Sequence, residues 1–319
     1  MGIPITGRAA RPQAMNQTYL ETARLLTQVA PLVFVDDQFA LKGGTAINLF
    51  LRDMPRLSVD LDLVFTDHTV ARPEALARIS GAVVASAKRL RARGHEVFVP
   101  QMGGGNETTL IARRGAIQVK VEINTVLRGT VHPVQRANMS AMARDTLLAD
   151  LEIPILAPED VYGGKLVAAL DRQHPRDLFD VMELFAHGGI TPGIRRAFVV
   201  YLASHDRPVH EVLFPTLKDV RMEFERNFEG MTSNPVDLQA LMAARDRMIS
   251  EIQANLDVDE RRFLLSLVSA EPEWELLGIA HLSALPAIRW KLQNLERLRR
   301  EQPVQFAAQH TALAERLDR

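Results

Sequence analysis

Residues 57–65 read LSVDLDLVF, and their alternation of apolar and polar side chains predicts a β-strand. Successive side chains leave a strand on opposite faces. Val59, Leu61, Leu63 and Phe65 therefore face a core, while Asp60 and Asp62 share the other face, two residues apart. Carboxylates that close repel each other unless something positive lies between them. A divalent cation answers that need, since Mg²⁺ takes hard oxygen ligands. An isolated Asp-x-Asp is more often a solvated strand face, so the flanking sequence decides.

Upstream, Leu41-Lys42-Gly43-Gly44-Thr45 ends an apolar stretch and opens a helix over Ala46–Leu51. Paired glycines let backbone approach a ligand closely, and a helix start offers N–H groups to an anion. Thr45 adds a hydroxyl there, so the turn is a candidate triphosphate site. Downstream, residues 107–112 and 116–126 predict a β-hairpin around Arg113–Gly115. In its second strand Ile117, Val119, Val121 and Ile123 share one face, and Gln118, Lys120, Glu122 and Asn124 the other. Beside the strand 57–65, Glu122 would present a third carboxylate.

The rest of the chain divides in two. Residues 1–15 read as a loose arm, 16–30 as a helix capped by Asn16 or Thr18, 72–93 as an amphipathic helix and 96–99 as a short strand before a turn at Gly103–Gly105. After about residue 140 the pattern becomes helical. Pro158-Glu159-Asp160 marks a helix start, with proline in the first turn and carboxylates at the positive end of the dipole. The expected architecture is α+β: residues 1–150 with a mixed sheet, and residues 151–319 all helical. The 319 residues contain no cysteine, which excludes disulfides, thiol nucleophiles and cysteine metal sites. No stretch approaches the ~18 apolar residues of a membrane span, and the N-terminus lacks the apolar core of a signal peptide, so a cytoplasmic protein is expected. The nine histidines form no metal-binding pair, and His174 is a candidate supporting group near the second cluster. Only 6 of the 38 basic residues are lysines, which makes each lysine worth inspecting.

One of these, Lys165, precedes Asp171-Arg172 and Arg176-Asp177-Leu178-Phe179-Asp180. Gly-Gly-Thr followed by hydrophobic-Asp-hydrophobic-Asp and a later strand carboxylate resembles the DNA polymerase β type of nucleotidyltransferase superfamily. The chain departs from that pattern in carrying Thr45 where serine is usual and in a slightly long gap of 14 residues before Asp60. Gly-Gly-Thr-Ala, Arg-Leu-Ser-x-Asp-Leu-Asp-Leu, Lys-x5-Asp-Arg and Arg-Asp-Leu-Phe-Asp, in that order over residues 38–185, look like the AbiEii/AbiGii family of abortive-infection nucleotidyltransferase toxins.

The resemblance implies a polymerase β-like nucleotidyltransferase fold and an enzyme that moves a nucleoside monophosphate from an NTP to an RNA, with the tRNA 3′ end as the leading acceptor and translation blocked as a result. It implies two Mg²⁺ ions, or Mn²⁺, on Asp60 and Asp62. Glu122 is the third carboxylate by strand parity. Gly43, Gly44 and Thr45 match the triphosphate turn, and Lys165 and Asp177 match the family's essential lysine and aspartate. Glu122 or Asp177 would accept the proton of the attacking hydroxyl. Arg56, Arg172 and Arg176 are candidate phosphate contacts on position. A type IV antitoxin encoded as a genetic partner, without stable contact, is also implied. Two other readings stay open: a nucleotidyltransferase acting on a protein or small molecule, and a catalytically degenerate nucleotide-binding module. Near the C-terminus, Arg289, Lys291, Arg297, Arg299 and Arg300 lie on an amphipathic helix with Trp290, a candidate contact for an RNA backbone.

Overall fold

The computed structural model describes residues 16–100, 107–232 and 234–318; the arm 1–15 and the turn Gly103–Gly105 fall outside these. Helix α1 (Gln17–Val33) is capped by Asn16, whose side chain accepts the Thr18 N–H, and leads to β1 (Phe39–Lys42). A short helix α2 (Gly43–Ala46) continues as a π-helical turn, Ile47–Leu51. Then come β2 (Asp60–Phe65), α3 (Arg72–Ala92), β3 (Glu96–Phe98), β4 (Thr109–Arg114), β5 (Ile117–Asn124), β6 (Gln135–Asn138), α4 (Ala141–Leu147) and β7 (Glu152–Ile155). From Pro158 every named element is helical: α5 (Pro158–Arg172), α6 (Pro175–Ala186), α7 (Pro192–Ala203), α8 (Val209–Leu213), α9 (Arg221–Asn227), α10 (Leu238–Asn255), α11 (Val258–Val268), α12 (Pro286–Glu301) and α13 (Pro303–Leu317), with two short 3₁₀ turns before α12.

The seven strands form one mixed sheet in the order β3-β4-β5-β2-β1-β7-β6. β2 lies at its centre, antiparallel to β1 and parallel to β5. Leu61, Leu63, Val119, Val121 and Ile123 are buried, and α1 and α3 pack against the sheet. The opposite parity carries Asp60 and Asp62 on β2 and Gln118, Lys120, Glu122 and Asn124 on β5, with the buried Val64 beyond Asp62. β7 lies beyond residue 150 yet pairs with β1 and β6, so the sheet extends to Ile155 and the helical part begins at Pro158.

β2 is shorter than the alternation suggests. It starts at Asp60, because the Leu57 N–H is bound to Met231 O at 2.9 Å and Arg56 bridges Thr232 instead of continuing the sheet. The segment before β2 is thus tied to the helical part. There α5 packs most extensively on α7, and Gly163 makes this contact close: a Cβ on it would lie 2.7 Å from Phe198 N and 2.8 Å from Ala197 C. α5 also touches α2, which brings Lys165 toward the Gly43–Gly44 turn. Among the described residues no helix is long and apolar enough to cross a membrane.

Candidate active site

Strand pairing places the carboxylates. Asp62 is in register with Glu122 on β5 and with Lys42 on β1, and Asp60 with Lys120. Paired residues on neighbouring strands point to the same side of a sheet, so Asp60, Asp62 and Glu122 share the polar face. Burial raises the Asp60 carboxyl above its ordinary value, and Asp62 and Glu122 add to the rise; Arg176 and Lys120 oppose it. This repulsion among hard oxygen donors is what a divalent cation relieves. Asp60, Asp62 and Glu122 therefore fit such an ion in chemistry. As placed, Glu122 is ion-paired with Lys120, and among the described residues no three His, Asp or Glu side chains converge on one point.

The turn between β1 and α2 abuts this face. Gly43 has φ +72°, a conformation that costs other L-residues about 1–2 kcal/mol, and a Cβ there would lie 3.0 Å from Asp62 Oδ2. On Gly44 a Cβ would lie 2.6 Å from Arg56 Nη2. Thr45 departs from the expected role. It is only 2% exposed, and its hydroxyl donates to Asp60 O at 2.5 Å and is hydrogen-bonded to Ser58 Oγ at 2.8 Å. Its side chain anchors the start of β2, so any triphosphate contact at this turn comes from the glycines and the backbone.

The helical part contributes a buried ionic network. Asp180 is fully buried and binds Arg56 bidentately, Nε at 2.8 Å and Nη2 at 2.7 Å; Lys165 Nζ lies 2.8 Å away and the Asn48 amide donates at 3.1 Å. Lys165 also donates to Asp177 at 2.9 Å, and Arg172 pairs with Asp177 at 2.9 Å. Burial alone would push the Lys165 ammonium down, but Asp177 and Asp180 outweigh it and hold it above its usual value. Burial would raise Asp177, but Lys165 and Arg172 hold it below the usual carboxylate range. Asp180, against the same burial cost, is brought down to about 2 by Arg56 and Lys165. Two expectations change. Arg56, only 3% exposed, is bound to Asp180, although it still lines the smaller of two adjoining cavities. Asp177, paired with Lys165 and Arg172 and held below the usual carboxylate range, is weakened as a proton acceptor.

Two adjoining cavities collect these residues. One, of about 720 Å³, runs between sheet and helices past Gly43, Gly44, Asp62, Glu122, Lys165 and Arg172 to α12. The other, of about 250 Å³, holds Asp60, Lys120, His174, Arg176 and Asp177 and shares Gly44, Asp62, Glu122, Lys165 and Arg172 with the first. The sequence-derived candidates thus meet in one cleft, except for the buried Thr45 hydroxyl.

The comparisons with known proteins bear on this constellation. Residues 24–294 match a family described as nucleotidyl transferase AbiEii toxin, type IV toxin–antitoxin system. The chain belongs to the AbiEii nucleotidyltransferase toxin family. Among solved structures it is similar to MenT4, a nucleotidyltransferase toxin of Mycobacterium tuberculosis H37Rv, at 21% identity and TM-score 0.56, over 87% of this chain and 94% of that one. At that identity the likeness speaks for the fold. A chain of the E. coli MS115-1 CdnC:HORMA-deltaN complex also aligns, at 11% identity and TM-score 0.27, over 86% of this chain and 93% of that one. No curated protein matches significantly.

As an AbiEii toxin, the chain is a nucleotidyltransferase with a nucleotide substrate and an antitoxin counterpart. Several residues of its site escape a reading by motif. Asp180 closes the Arg-Asp-Leu-Phe-Asp motif, but its link to Arg56 spans 124 residues. His174 is the cap of α6, accepting the Arg176 N–H at 3.1 Å, and burial, then Arg176, lower its pKa. Lys291, expected on an exposed basic face, is 6% exposed and donates to the carbonyls of His205, Asp206 and Arg207 at 2.8, 3.3 and 2.6 Å. Burial pushes its ammonium down to about 8. Of that basic run, Arg299 pairs with Glu271, while Arg289, Arg297 and Arg300 are exposed.

Proposed function

We propose that this AbiEii toxin transfers a nucleoside monophosphate from an NTP to the 3′ end of an RNA, with tRNA as the acceptor class, in the presence of Mg²⁺ or Mn²⁺. The observation that carries the reading is the register of Asp62 with Glu122 beside the Gly43–Gly44 turn, with Lys165 and Arg172 across the same cavity. Asp60, Asp62 and Glu122 would hold the two ions, which when bound neutralise charge on the reacting phosphates. The attacking hydroxyl oxygen bonds to the α-phosphorus as the bond to the pyrophosphate oxygen breaks. Phosphoryl transfer of this kind depends chiefly on positioning and charge neutralisation.

The protein's groups divide that work. Gly43 and Gly44 leave room for the triphosphate against the sheet. Lys165 and Arg172 face the accumulating charge of the departing pyrophosphate. Glu122, in register with Asp62, takes the proton of the acceptor hydroxyl. Arg176, in the smaller cavity beside Asp60, suits an acceptor phosphate. Blocking the tRNA 3′ end would stop translation, a toxic outcome an antitoxin must counter.

The test is incubation of wild type and Asp62→Ala with each labelled NTP and total cellular RNA and protein. The reading predicts label on RNA, sensitive to nuclease and absent with the variant. Label that stays on protein after nuclease treatment would overturn the RNA acceptor.

A further inference from the structure

We propose that Trp290 is the stacking surface for the nucleobase of the donor NTP, an inference that rests on the NTP occupying the cleft as argued above. The larger cavity is lined by Gly43, Gly44 and Lys165 and also by Trp290 and Asn294. Its volume of about 720 Å³ suits a ligand of nucleotide size. Its lining holds what the two parts of a nucleotide need. Paired glycines and cations suit a triphosphate. The indole ring offers a flat π-face, which is what a nucleobase stacks on. The neighbouring cavity, of about 250 Å³, is lined almost wholly by charged and polar side chains and offers a base no indole or phenyl face.

Trp290 is an unusual residue to leave open. It is 49% exposed, whereas tryptophan is on average highly buried. Val126, 37% exposed, lines the same cavity, so its lining includes two exposed large apolar side chains. The helix that carries the ring is also held in place. The adjacent Lys291 ties α12 to the carbonyls of residues 205–207, and the Arg72 guanidinium sits 5.9 Å from the indole centroid without lining the cavity. A surface fixed before the ligand arrives loses little on binding. Because every base has a π-face, stacking tolerates sequence. Trp290 therefore adds affinity for all four NTPs and does not choose among them.

The chain has two tryptophans, so a Trp274→Phe variant leaves Trp290 as its sole tryptophan, which is excited selectively over the tyrosines at the red edge of the absorption band. The full-length protein is titrated with each NTP, with inorganic tripolyphosphate as a charged ligand without a base, and with a short RNA. NTPs should quench the fluorescence and tripolyphosphate should not. In the otherwise native chain, Trp290→Ala should raise the NTP KM roughly tenfold to a hundredfold, with the RNA KM unchanged and Trp290→Phe close to wild type. Quenching by RNA alone, or an unchanged NTP KM in an active Trp290→Ala enzyme, would overturn the stacking assignment and leave the transferase reading intact. A wild-type chain that neither binds nor transfers any NTP would overturn both.

Discussion

A methyl group on Gly44 would sit 2.6 Å from Arg56 Nη2, so the turn beside the carboxylates is packed against a buried guanidinium. Arg56 cannot give way cheaply, because its other contacts hold Asp180 at 2.7 and 2.8 Å. Gly44→Ala should therefore cost about 1–3 kcal/mol, the usual range for overpacking, and should also reduce transfer by shifting the turn. Urea unfolding and the NTP KM measure the two effects; a variant with native values of both would show that the turn yields freely. At this scale the sequence discloses whatever depends on strand parity. Asp60, Asp62 and Glu122 emerge on one face because the strand period is two, and the pairing of β2 with β5 adds that Asp62 and Glu122 are neighbours. The fates of Thr45 and Arg56 are not legible. Each is decided by a partner brought up by folding, Asp60 O and Ser58 for one, Asp180 for the other.

Helices α5 and α6 present Lys165, Asp177 and Asp180 as a unit that also captures Arg56 from the loop before β2. A buried ion pair that loses one partner leaves an uncompensated charge, which costs about 3–5 kcal/mol. Asp180→Asn should destabilise the protein by that order, and a loss under 1 kcal/mol in denaturant melts would contradict the network's role. The pH dependence has a definite sign. Asp180 lies at about 2 in the folded chain against an ordinary 3.8, so its contribution is complete above pH ~4 and is lost as pH falls toward 2. That shift corresponds to about 2 kcal/mol, and the acid-induced loss should shrink by about as much in Asp180→Asn. The start of α5 is readable from Pro158 and its two carboxylates. The close crossing of α5 and α7 is not, because Gly163 marks it only once Phe198 is known to lie against it.

Across the whole molecule, the cleft exists because residues 56–57 and the α2 turn are bonded to the helical part while β2 belongs to the sheet. The carboxylates come from one side and Lys165 and Arg172 from the other, so neither side has a complete site alone. The division into sheet-bearing and helical halves is legible in the change of periodicity after residue 140. The strand order is less so, since β7 is a four-residue segment whose place beside β1 depends on long-range pairing. The basic helix near the C-terminus shows the same limit: its composition suggests a solvated face, yet Lys291 faces inward onto three carbonyls and Trp290 faces the cleft. The central claim is that this cleft adds nucleotides to RNA. The most direct measurement incubates the purified protein with tRNA, Mg²⁺ and each of the four NTPs, and sequences the tRNA 3′ ends. Extended 3′ ends are expected with at least one NTP, and none with Asp62→Ala. Unaltered 3′ ends with all four NTPs, from folded wild-type protein, would contradict the claim.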